Sequence, residues 1–225
     1  MTADLALLGW SAWLALLSLV VLAVPAVAVA WWVAQPGARA PRVVVEGLCT
    51  LPLVLPPTAV GLLLLELLAA DSALGHLLAR AGAEVVFTPA GVVLAGAVMG
   101  LPLLLRSART AFEQVDGRYV AVARTLGRTR AAAFWAVELP LARRGIAAGA
   151  LLAFCRALGE FGATILLAGN IPGRTQTVPL AIFQRAQAGE DASALRLVGL
   201  ATAAAFGVVL AYEWLAGRGG GRARG

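Results

Sequence analysis

The chain has 225 residues, of which 60% are hydrophobic and only 13% charged, with a mean hydropathy of +0.86. A charged fraction about half that of a soluble domain excludes a water-soluble globular protein and points to one integral membrane domain covering 1–225. The net charge of +6 is carried by arginine without a single lysine, and it is spread along the chain rather than gathered on one soluble face, which excludes a nucleic-acid-binding domain.

The predicted fold is all-α, a polytopic membrane protein of about five transmembrane helices with one cytoplasmic helix between them. Windows of roughly 20 apolar residues are needed to cross a hydrocarbon layer of about 30 Å. Such windows fall at about 7–33, 44–68, 87–105, 141–167 and 195–215. The first run is longer than the roughly 7–15 residues of a signal-peptide core and has only Asp4 before it, so it is read as a retained span. Gln35-Pro36-Gly37 ends it, and Pro41 precedes the second. The segment 69–84, with Asp71, His76, Arg80 and Glu84, is expected to be a solvated external loop. Residues 116–146 form an arginine-rich polar island, and 217–225 a flexible basic tail held near anionic lipid headgroups. Cys49 and Cys155 both lie in apolar segments and read as structural thiols.

Arginine counting orients the chain in the inner membrane. With the island in the cytoplasm, the N-terminus is outside and the C-terminus inside. The inner side then holds Arg39, Arg42, Arg106, Arg109, Arg118, Arg124, Arg128, Arg130, Arg143, Arg144, Arg218, Arg222 and Arg224. The outer side holds only Arg80, Arg174, Arg185 and Arg196.

The island reads as a short amphipathic helix over 119–126, a turn at Gly127, and a second helix entered through Leu139-Pro140. Arg118, Arg124, Arg128 and Arg130 give it a charged face, and Val122, Leu126, Phe134 and Trp135 supply apolar anchors. Gly127 permits a turn with positive φ, and Pro140 is placed where a helix's first turn needs no N–H. The pattern resembles the cytoplasmic coupling loop of binding-protein-dependent ABC importers, in which Glu-Ala-Ala, three residues, Gly, nine residues and Ile-x-Leu-Pro recur. The matching positions are Ala121-Val122-Ala123, Gly127 and Val137-Glu138-Leu139-Pro140, with Ala121 where the family has glutamate. The resemblance implies that Arg118, Ala121, Val122, Ala123, Arg124, Leu126, Gly127, Arg128, Leu139 and Pro140 meet a separate ATPase. Glu113 and Asp116, just upstream, are assigned no role.

The second informative stretch is 153–183. Arg156 and Glu160 sit four apart inside an apolar span, so they can pair on one helix face, either as a packing lock or as part of a gate. Gly159 and Gly162 flank Glu160 and allow a bend or a close approach. Thr58, Thr164, Asn170 and Thr175 are the polar residues expected near a translocation path, while Pro52, Pro56 and Pro57 interrupt the second span. Glu66 reads as interfacial. The runs Arg-Ala-Leu-Gly-Glu-Phe-Gly-Ala-Thr (156–164), Ala-Gly-Asn-Ile-Pro-Gly (168–173), Thr-Gln-Thr-Val-Pro-Leu-Ala-Ile (175–182) and Leu-Pro-Leu-Val-Leu-Pro-Pro-Thr (51–58) resemble molybdate permeases, with tungstate and sulfate permeases as alternatives.

The resemblance implies a type I ABC importer: two copies of this chain, two ATPase subunits that bind ATP and magnesium, and an extracytoplasmic oxyanion-binding protein. A second copy also follows from the lack of an internal repeat, since one such chain is half a pore. No phosphate-binding Gly-x-x-x-x-Gly-Lys-Ser/Thr loop occurs, no carboxylates pair on a common face inside a span, and His76 lacks metal-ligand company and is read as a solvated loop residue. The chain is therefore expected to be non-catalytic, with no cofactor or metal of its own. A membrane channel or scaffold without an ATPase is the remaining alternative.

Overall fold

The computed structural model describes residues 2–35, 37 and 39–220, without side chains at 39 and 211–220. Pro36, Arg222 and Arg224, and the side chains of Arg39 and Arg218, thus lie outside the described residues. The elements are all helical: α1 Thr2–Ala34, α2 Arg39–Val54, α3 Pro57–Leu68, α4 Ala73–Arg80, α5 Pro89–Glu113 and α6 Gly117–Thr125. There follow α7 Arg130–Ala133, a π-helical segment Phe134–Glu138, α8 Leu139–Leu158, α9 Gly162–Leu167, α10 Val178–Gln187 and α11 Asp191–Gly220.

The centre is a three-helix nucleus in which α5 packs along both α1 and α8. α1 buries Ser11, Leu14, Ser18, Leu22, Ala26, Ala30 and Val33, a stripe at three- and four-residue spacing that faces its neighbours. Small residues dominate that stripe, as expected where helices associate in lipid by close packing rather than by hydrophobic exclusion. Leu22, Ala26, Ala97, Leu104 and Ala153 form one core cluster where the three helices meet.

α1, α5 and 191–210 of α11 are long and apolar enough to cross a membrane, and α2 with α3 makes a possible fourth crossing. The second predicted span is not one rod: α2 and α3 meet at 115°. Pro56 and Pro57 force the break, because a proline excludes its predecessor from the helical region and removes a backbone donor; Pro56 itself is extended, with ψ 136°. α8 is the fourth predicted span. At 20 residues it reaches about 30 Å, but Arg143, Arg144 and Arg156 keep it below the apolarity of the other spans. It also stops at Leu158 rather than 167, and α9 restarts after a break at Gly159–Phe161.

Three further differences are local. The segment 69–84, expected to be a loop, contains α4, started by Ser72, whose Oγ accepts from the Gly75 N–H at 2.8 Å. α10, in a stretch where no span is predicted, packs against α11 and α1. α11 runs to Gly220, so the first residues of the predicted tail continue the helix.

Candidate functional site

The island forms a lever at one end of the molecule. Asp116 starts α6: its Oδ1 accepts from the Arg118 N–H at 2.9 Å and its Oδ2 from Arg118 Nε at 2.8 Å. The Arg118 guanidinium holds the Asp116 carboxyl below its ordinary range, and the carboxylate raises Arg118 in return. At the far end the Arg128 N–H reaches back to the Ala123 carbonyl (3.1 Å) and the Gly127 N–H to that of Arg124 (3.0 Å). This paired closure needs a left-handed residue, and Gly127 has φ +81°. Thr129 then starts α7, its Oγ1 accepting from the Ala132 N–H at 3.2 Å.

Of the predicted contact residues, Arg118, Ala121, Val122, Arg124, Leu126, Gly127, Arg128 and Pro140 are exposed, whereas Ala123 is buried and Leu139 half-buried in the core below. A groove lined by Tyr119, Val122, Leu126, Arg128, Val137 and Pro140 runs between α6 and the returning helix. Leu126 is 78% exposed and Trp135 68% exposed. Apolar side chains at that exposure beside arginines suit a protein partner in water.

One expectation about the island is corrected and two are refined. Phe134 is not an outward anchor: it packs inward against Trp31, with ring centroids 5.0 Å apart, and against Phe112. Arg130 stays exposed but lies over the Trp31 ring at 5.4 Å. α8 does begin at Leu139 with Pro140 in its first turn, but the backbone is already helical before it. The chain turns helical at Arg130 and continues through the π segment, whose wider turn accommodates the N–H missing from Pro140 and its ring against the preceding turn.

Glu138, in the sequence only a variable position of the Val137-Glu138-Leu139-Pro140 motif, is a central bonded group of the island. It is 7% exposed, and its Oε2 accepts from Trp31 Nε1 and its Oε1 from Gln35 Nε2, both at 3.0 Å. One signal could have exposed it: an acid in the turn before Leu-Pro, flanked by apolar residues that enter the bilayer.

The second cluster lies about 30 Å away along α8, near the opposite end of the molecule. Arg156 Nη1 and Glu160 Oε2 pair at 2.5 Å, as the spacing suggests, but not within one helix: Glu160 sits in the break after α8. There its Oε1 accepts from the Ala163 N–H at 2.7 Å and so starts α9. Gly162 and the start of α3 are in contact, and a Cβ at 162 would lie 2.8 Å from that of Pro57 and 3.1 Å from the Thr58 nitrogen. The two interrupted helical segments thus meet at their breaks. Thr164 is fully buried in α9 and its Oγ1 has no partner there, while Thr58 is exposed at the start of α3.

Asn170 and Thr175 are bonded within the loop after α9 and to α10. The Thr175 Oγ1 accepts from the Ile171 N–H at 3.0 Å and braces its own loop. Asn170 joins Gln176 and Gln184 in a cluster of side-chain amides. Gly159 closes α8, its N–H bonded to the Cys155 carbonyl at 3.2 Å. Glu66 is exposed on α3. Asp4 ties the far end of α1 to Arg185 at 2.7 Å and lies 3.7 Å from Arg196.

A family model described as "Binding-protein-dependent transport system inner membrane component" matches residues 26–218. The chain is 43% identical over 177 residues to the molybdenum transport system permease protein ModB of Escherichia coli K12, covering 78% of this chain and 77% of that one. Its identity to the protein of the same name from Haemophilus influenzae is 37% over 195 residues, 86% and 85% of the two chains. The Azotobacter vinelandii protein of that name is 37% identical over 197 residues, 87% of each chain.

Proposed function

We propose that this chain, which belongs to the family of binding-protein-dependent transport system inner membrane components, is the permease subunit of an ATP-driven importer of molybdate. The observation that carries the reading is 37–43% identity, over most of the chain, to relatives named as molybdenum transport permeases. In this role the chain hydrolyses nothing. Two ATPase subunits bind ATP and magnesium, an extracytoplasmic binding protein delivers the oxyanion, and a second copy of this chain completes the pore.

The lever supports this division of labour. An ATPase that closes on nucleotide must act on the membrane domain through something rigid, and α6 is fixed at both ends by the Asp116 cap and the Gly127 closure. The two poles of the molecule support the orientation with the N-terminus outside. The inner end of α1 meets the lever at Glu138, while Asp4 meets Arg185 and Arg196 at the other pole.

A dianion entering hydrocarbon meets a large solvation penalty. A path needs donors that offset it without trapping the ion. The meeting of interrupted helices at Thr58, Gly162 and Thr164 supports a path there, since broken helices turn backbone donors toward a cavity. Arg156 is neutralised by Glu160 and therefore offers no cationic trap, which suits a conduit that leaves selection to the binding protein.

The test is reconstitution of the complex in vesicles with its ATPase and binding protein, measuring ATP hydrolysis with molybdate, tungstate and sulfate in turn. Stimulation by molybdate accompanied by its uptake is the expected result. Stimulation by sulfate or tungstate alone would reassign the cargo, and stimulation by none would reject an importer.

A further inference from the structure

We propose that Glu138 is a positioning residue that splints the π segment of the lever to the inner end of α1, so that force on the lever turns α1 and α8 together. This rests on the reading of the chain as an ATP-driven permease. The π segment Phe134–Glu138 lies between the exposed lever and α8. A widened turn ahead of a proline is the softest point along that line, because its backbone bonding is interrupted. Force applied to α6 and α7 would bend it there unless something bridges it.

The bridge is the end of α1. Arg130 precedes the π segment and Glu138 closes it, and both bind Gln35: Arg130 Nη2 donates to the Gln35 Oε1 at 3.2 Å, and Gln35 Nε2 donates to the Glu138 Oε1 at 3.0 Å. Trp31, one turn earlier on α1, repeats the arrangement. Its Nε1 donates to Glu138, its ring face carries the Arg130 guanidinium, and its edge meets Phe134 from within the segment. Trp31 of α1 and Gln35 just past its end therefore hold both ends of the five-residue segment, and Arg130 before it, roughly a hundred positions away in sequence.

The chemistry argues against mere space filling. The neighbouring core is Ala30, Leu105, Ala108, Phe112 and Ala142, where an apolar side chain would pack without loss of solvation. A buried carboxylate is costly unless both oxygens are bonded, and here both are. What it adds over a leucine is direction: apolar contacts let helices slide, whereas two charge-assisted bonds fix rotation and register.

The experiment compares wild type, Glu138→Ala and the swapped pair Gln35→Glu with Glu138→Gln in the reconstituted complex. It reads ATPase co-purification, basal hydrolysis, and molybdate taken up per ATP. For Glu138→Ala we expect co-purification and basal hydrolysis to persist while uptake per ATP falls about tenfold, the scale of a typical coupling free energy. In the swapped pair the new amide accepts from Trp31 and donates to the new carboxylate, which also faces Arg130, so uptake per ATP should return. Normal coupling in Glu138→Ala would overturn the proposal. So would loss of ATPase association that the swapped pair fails to restore, since that marks a purely structural residue. A wild-type complex without oxyanion-stimulated hydrolysis would instead reject the import reading beneath it.

Discussion

The lever depends on Gly127 for conformation, not for space. A Cβ there meets nothing within 4 Å, so the φ of +81° is the whole constraint. A side chain in that region costs about 1–2 kcal/mol, enough to open the closure at the end of α6 without disturbing the spans. Gly127→Trp should therefore insert normally, yet lose ATPase association or coupling, as should Arg124→Glu on the exposed face. Normal oxyanion uptake by both variants would contradict the role given to 116–146. Glu160 is constrained differently. Removing it leaves Arg156 unpaired and the start of α9 uncapped. Breaking a buried pair from one side costs about 3–5 kcal/mol, so Glu160→Ala should lower the thermal midpoint of the purified protein. Arg156→Leu with Glu160→Gln should recover much of it, and a midpoint unchanged in Glu160→Ala would show that the pair locks nothing.

Among the helices, the most exacting contact is between the broken segments. A Cβ at Gly61 on α3 would lie 2.7 Å from the Ala163 Cα on α9, a backbone atom that cannot step aside. Overpacking of this kind costs about 1–3 kcal/mol. Gly61→Val should thus reduce stability and oxyanion uptake together, whereas Gly199→Val on α11, with open space around it, should leave both near wild type. Equal effects at the two sites would contradict the α3–α9 junction. The elements also mark where sequence reading succeeds. Gly127 and the Arg156–Glu160 pair were legible because each depends on residues within a few positions. The 115° turn at Pro56 was half legible: three prolines announce an interruption, but not its angle. Phe134 was misread, and the contacts of Arg130 and Glu138 were missed, because their partners Trp31 and Gln35 lie on α1 and just past its end, and no local periodicity records a contact across that distance.

Viewed as one body, the molecule has a lever pole and an opposite pole, joined by the α1–α5–α8 nucleus. The overall class was legible from apolar run lengths alone. The count of crossings was less so, because α8 carries three arginines and α2 and α3 share one run, and composition weighs such segments differently from packing. Residues 116–146 are proposed to lie in the cytosol and to transmit work from a separate ATPase. The most direct test places a cysteine at the exposed Arg124, in a chain with Cys49 and Cys155 replaced, and measures crosslinking to the ATPase and labelling by a membrane-impermeant thiol reagent applied from outside. A crosslink whose yield changes on ATP binding, with no outside labelling, is the expected result. Labelling from outside, or an assembled complex in which this position never reaches the ATPase, would contradict it.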